Sequence, residues 1–150
     1  MATLRRLRLF LIASLLATAS RLQAQAVTPF SADPRWLRIQ ETSDLTAYID
    51  RESINRIDSD LVEVWNLWEF GKLQGDPGAQ FDTVMFRWQL DCRGRRVKPT
   101  EATYYRQHKF VNSESLALED WQSPSPQSTG ETLLLAGCQI AAGQPFDTVQ

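Results

Sequence analysis

The sequence predicts an α+β fold: an antiparallel β-sheet of about five to six strands, with a C-terminal helix packed on one face and tethered there by a disulfide. Two observations carry this. From Val84 to Cys92 every second side chain (Val84, Phe86, Trp88, Leu90, Cys92) is apolar while Arg87, Gln89 and Asp91 are polar, the period of a half-buried strand. Cys92 therefore points to the core face. The one other cysteine, Cys138, closes ETLLLAGC, a short apolar stretch that reads as a helix.

At the start of the chain, Arg5, Arg6 and Arg8 precede an apolar run from Leu9 to Ala19, followed by Ala24-Gln25-Ala26. This is the pattern of a secretory signal peptide, residues 1–26. The run is about half of the ~20 apolar residues that a bilayer crossing needs, so a retained transmembrane helix fits less well. No cysteine lies near the cleavage point to carry a lipid. Cleavage after Ala26 leaves 124 of the 150 residues, enough for one domain. It removes four arginines and no acid, so the net charge of −2 becomes −6. Such a charge disfavours nucleic acid, whose binding relies on neutralising phosphates. In an exported chain two cysteines are most simply a disulfide. Closing a loop of that length stabilises a fold by roughly 4 kcal/mol in the loop-entropy account.

Residues 27–35, interrupted by prolines, form a flexible lead-in, and order begins near Trp36. WLRIQ and TAYID alternate over a few residues each and read as short strands on either side of the turn Glu41-Thr42-Ser43-Asp44. Asp50 to Ser53 is irregular or one helical turn, and Asp58-Ser59-Asp60 is a turn into the next strand. LVEVWNLWEF, Leu61 to Phe70, has Val62, Val64, Trp68 and Phe70 on one face and Leu61, Trp65 and Leu67 on the other. Two readings follow. The strand is central and covered on both sides, or Trp65 and Leu67 belong to an exposed patch for a protein partner or a second copy of the chain.

Gly71 to Gln80, with three glycines and a proline, is a surface loop. After Cys92 comes the tight turn Arg93-Gly94-Arg95-Arg96, and Pro99 in the next strand marks an edge or a bulge. Arg93, Arg95, Arg96 and Lys98 are the one concentration of positive charge in an acidic molecule. They are either a solvated hairpin tip or a receptor for an acidic protein segment or sulfated sugar. Tyr104-Tyr105 places one ring on each face. Gln107 to Ser115 reads as loop, Leu116 to Trp121 as one more short strand, and the proline-rich link leads into Ser128-Thr129-Gly130-Glu131, which has capping-box spacing. Residues 139–150 are a loose tail.

The chemistry-bearing residues are sparse. His108 is the sole histidine, and a general base or axial haem ligand there would have no supporting partner in sequence. There is no nucleophile elbow, phosphate loop or metal-ligand spacing, so no catalytic residue, no cofactor and no metal is expected. Asp50 and Glu52 are read as solvated turn carboxylates.

Trp36, Thr46-Ala47-Tyr48-Ile49-Asp50, Ser53-Ile54, Val62-Glu63-Val64-Trp65, Asp91-Cys92, Arg95-Arg96, Tyr104-Tyr105, Trp121 and Cys138, in this order, resemble the surface-adhesin protein E family of bacterial envelope proteins. The resemblance spans residues 36–138. It implies the same sheet with a disulfide-tethered helix, and adhesion to host proteins such as vitronectin and laminin. The expectation is an exported, non-enzymatic, adhesin-like binding module at the periplasm or cell surface, contacting a protein through Trp65, Leu67, Arg93, Arg95, Arg96 and Lys98. The alternative is a small periplasmic enzyme or enzyme inhibitor with a pocket under the C-terminal helix.

Overall fold

The structure, a computed structural model, describes residues 28–116 and 119–146. The signal-peptide segment 1–26 lies outside the described residues. Within them, seven strands form one antiparallel sheet: β1 (Trp36–Glu41), β2 (Leu45–Asp50), β3 (Asn55–Arg56), β4 (Leu61–Gln74), β5 (Phe81–Asp91), β6 (Arg96–Arg106) and β7 (Lys109–Ser115). The strand order is β1-β2-β4-β5-β6-β7, with β3 pairing only β4. One helix, α1 (Thr129–Ala141), follows.

The turns close for local reasons. Thr42 Oγ1 accepts the amides of Asp44 and Leu45, closing the β1–β2 hairpin. The Asp58 carboxylate accepts the amides of Asp60 and Leu61, both at 2.8 Å, and so turns β3 into β4. At Pro99 the register with β5 shifts between Arg87 and Trp88, the bulge expected where a ladder donor is missing.

Several stretches differ from the sequence reading, among them residues 139–141, which continue α1 and are not part of a loose tail. Gln107–Ser115 is not a loop: Gln107 and His108, at φ 49° and 63°, make a two-residue turn, and β7 follows. β7 is an edge strand wet on nearly every position, so KFVNSES carries no alternation by which to recognise it. Leu116–Trp121 contributes no strand among its described residues. Only Gln122 pairs, in an isolated bridge to Val97. In addition β4 runs four residues past Phe70, because Gln74 pairs with Phe81.

The core lies between α1 and the middle of the sheet. Ile49, Val62, Val64, Leu90 and Val97 are buried beneath Leu133, Leu134 and Ala136. Ser128 caps the helix by accepting the amide of Glu131 at 3.2 Å, and the Glu131 carboxylate takes the amide of Gln127 at 2.6 Å. Cys92 and Cys138 are bonded, linking the end of β5 to α1. The same sheet face continues beyond the helix as an aromatic row. Trp68 lies against Phe86 at 5.0 Å, and Phe81 against Tyr104 at 4.8 Å. Beneath α1 the sheet face is packed by the core side chains, and at the helix edge a cavity of about 200 Å³ is lined by Cys92, Arg95, Leu134, Cys138 and Gln139 among others.

Candidate functional site

Cross-strand partners share a face, so the ladder sorts the predicted residues. Trp65 is opposite Arg87, which is opposite Glu101; Leu67 is opposite Tyr48 and Met85; Lys98 is opposite Gln89, and Arg96 opposite Asp91. All of these point away from α1. Trp65, Arg96 and Lys98 therefore stand on one face, whereas Arg93 and Arg95 belong to the turn above it. Trp65 lies four residue steps along the strand from the Leu61–Asp91–Arg96 row, a span of about 14 Å at the usual rise.

Trp65 is half-buried and lines a cavity of about 220 Å³ with Arg35, Trp36, Asp50, Met85, Thr103 and Tyr105. Trp36 is nearly buried at 7% exposure, and the guanidinium of Arg35 lies 5.1 Å from the centre of its ring. Asp50, 5% exposed, accepts the Glu52 amide through Oδ1, while its Oδ2 stands 3.8 Å from Arg35 Nε. Asp50 is thus not a solvated turn carboxylate. It is the last residue of β2, turned onto this face by the register that pairs it with Trp36.

Leu67 offers nothing to a partner, since it is fully buried. It sits between Tyr48 and Met85 and one step from Glu69, which accepts a hydrogen bond from Ser31 at 3.0 Å. Residues 30–32 of the lead-in form a 3₁₀ turn on this side of the sheet. Phe30 packs edge-on against Tyr105 at 5.0 Å and stacks on His108 at 4.7 Å. His108 is therefore a turn residue held by an aromatic ring. Burial pushes the Tyr48 hydroxyl above its ordinary range at the same site.

The arginine tip is internally paired. Arg93 faces Asp60 at 3.9 Å, Arg95 faces Glu131 at 3.4 Å, and Arg96 faces Asp91 at 2.6 Å and lies over the Trp121 ring. The arginine side chains are 84%, 62% and 45% exposed, so these pairs are worth little singly. They nonetheless leave a tip of mixed charge around an open groove of about 700 Å³, lined by Asp58, Asp60, Leu61, Asp91, Arg93 and Trp121 among others. The carboxyl of Asp91 is held below the usual carboxylate range by the hydrogen bond from Arg96 and by the Gly94 amide.

Sequence reasoning missed Trp36, Met85 and Asp50 as neighbours of Trp65. The alternation of TAYID and FDTVMF did place Asp50 and Met85 on the face away from the helix, and that was the available signal. Among the described residues no group of three His, Cys, Asp or Glu could hold a metal ion, and no helix is long and apolar enough to cross a membrane.

A single antiparallel sheet, covered on one face by a disulfide-linked helix and bearing an aromatic cavity on the other, defines a class of small sheet-and-helix domain. The surface-adhesin protein E family matches residues 36–139, and the chain belongs to that family. No curated protein matches the chain. Among solved structures it is similar to Haemophilus influenzae protein E, at 19% identity and a TM-score of 0.52 over 79% of this chain and 94% of that one. Crystal form II of the same protein gives 18% identity and 0.52, over 77% and 93%. At such identity the likeness is one of fold.

Proposed function

We propose that this protein is an exported, non-enzymatic, adhesin-like module that binds a protein partner through the sheet face opposite α1, with Trp65 as anchor and Arg96 and Lys98 toward the rim. The observation that supports this best is the placement of Trp65. An aromatic ring on a sheet face, half-buried and beside a cavity lined by Trp36, Met85 and Tyr105, is the composition that carries affinity in protein interfaces. Family membership supports a surface role. The rim arginines act mainly on association rate and salt response, and their internal pairing limits even that.

The test is adhesion of the purified exported protein to immobilised matrix proteins, vitronectin and laminin first, across salt concentrations. Trp65→Ala is expected to weaken binding by about tenfold or more. Combined Arg96→Ala and Lys98→Ala is expected to change mainly the salt dependence. Equal binding by Trp65→Ala and parent, both folded, would remove this face from the interaction.

A further inference from the structure

The cavity beside Trp65 is built to take a positive charge. It is lined by three aromatic residues, Trp36, Trp65 and Tyr105, and by the nearly buried Asp50. Aromatic faces carry negative potential and attract ammonium and guanidinium groups, most strongly where water is partly excluded. A cation is already at its mouth. Arg35 lies over Trp36, with its Nε 3.8 Å from Asp33 Oδ2 and 3.8 Å from Asp50 Oδ2. Both distances exceed hydrogen-bond range, and Arg35 Nε is buried with no acceptor. Two carboxylates thus converge on one guanidinium that bonds with neither. Asp50 is the one carboxylate in the cavity lining, and Arg35, whose side chain remains 41% exposed, holds it without a hydrogen bond. Arg51 does not line the cavity; its guanidinium donates to the Pro34 carbonyl at 2.6 Å.

We propose that this cavity is a binding site for the cationic side chain, lysine or arginine, of a protein partner, and that Arg35 is its displaceable internal occupant. The partner assignment rests on the function proposed above; the cation site itself does not. About 220 Å³ is below the ~300–1,000 Å³ of small-molecule pockets, which favours a single anchoring side chain over a free metabolite. An incoming ammonium would reach Asp50 Oδ2 and the Trp65 face while Arg35 swings out to Asp33 and solvent. Arg35 lowers the apparent affinity by the fraction of time it fills the site.

The experiment adds Nα-acetyl-lysine amide to the labelled exported protein, disulfide intact, and follows the Trp36 and Trp65 indole N–H signals by heteronuclear NMR. Saturable movement of both is expected. Nα-acetyl-norleucine amide, similar in shape without the charge, is expected to bind about tenfold more weakly, as is the lysine probe to Asp50→Asn. That variant keeps an oxygen to accept the Glu52 amide, and its melting curve checks that it folds. Arg35→Ala is expected to tighten the lysine probe severalfold. Equal binding of the norleucine probe, stronger binding of Nα-acetyl-glutamate amide, or no shift of either indole in Arg35→Ala would overturn the proposal. Each could occur while Trp65→Ala still lost matrix adhesion, so the partner face and the cation site fail separately.

Discussion

Gly137 of α1 lies so close to Leu90 of β5 that a β-carbon at position 137 would collide with the leucine Cδ1. Leu90 is fully buried, and the Ile49 side chain is 3.7 Å from the same point, so the leucine has little room to turn aside. The helix can lie at this depth because residue 137 has no side chain, and the neighbouring Cys138 then reaches Cys92.

Gly137→Ala is accordingly expected to destabilise the protein. In an open helix alanine would gain about 1 kcal/mol over glycine. Overpacking costs about 1–3 kcal/mol, so a net loss of about 1 kcal/mol is expected by urea denaturation. In a Leu90→Ala background the added methyl should cost nothing further, because its obstacle is gone.

Removing the disulfide by Cys92→Ser is expected to lower stability by about 2–5 kcal/mol while the far-ultraviolet spectrum keeps its strand signal. The bond ties the end of β5 to α1, whereas the ladder β2-β4-β5-β6 is held by its own backbone pairing. Thiol labelling of the unreduced, denatured parent should find no free sulfhydryl, and labelling of both cysteines would contradict the tether.

Leu67→Ala and Trp65→Ala are expected to separate stability from binding. Leu67 is fully buried, so truncation should cost about 2–5 kcal/mol. Matrix adhesion by the folded Leu67→Ala protein should match the parent. The neighbouring Trp65→Ala should do the reverse, with a small stability change and a large loss of adhesion.

At Asp91 the carboxyl is depressed by Arg96 and the Gly94 amide, so folding favours its ionised form. The stability this contributes is present above the ordinary carboxylate value of 3.8 and is lost as pH falls through the lower folded value. Melting temperatures measured from neutral pH down to about pH 2 should therefore fall more steeply for the parent than for Asp91→Asn, and the two curves should converge at the acid end.

Tyr104 gives the opposite limb. Burial, and a hydrogen bond to the Glu114 carboxylate, push its hydroxyl up from 10.0 to about 12. The stability gained is present below pH 10.0 and lost as pH rises toward about 12. Tyr104→Phe keeps the ring against Phe81 and should show a flatter stability curve over that interval. In the parent, ultraviolet titration should find one tyrosine ionising near the upper limit.

What the sequence alone determined is whatever is written as a period or a cap. The alternation of Val84 to Cys92 placed a strand and aimed Cys92 at the core, and Ser128 with Glu131 started the helix. Two cysteines left a single pairing. These features depend on residues within one or two turns of each other, so local steric and hydrogen-bonding rules suffice to read them. Tertiary structure alone decided the rest. β7 has no dry face, and so no pattern; only pairing with β6 makes KFVNSES a strand. Leu67 and Trp65 look equivalent in LVEVWNLWEF, yet one is fully buried between Tyr48 and Met85 and the other is half-buried beside a cavity, a difference that alternation along one strand does not carry. The arginines looked like a basic patch because their partners, Asp60, Asp91 and Glu131, come from three separate segments. Trp36, Asp50, Trp65 and Tyr105 likewise come from β1, β2, β4 and β6, and only the register of the sheet brings them to one site.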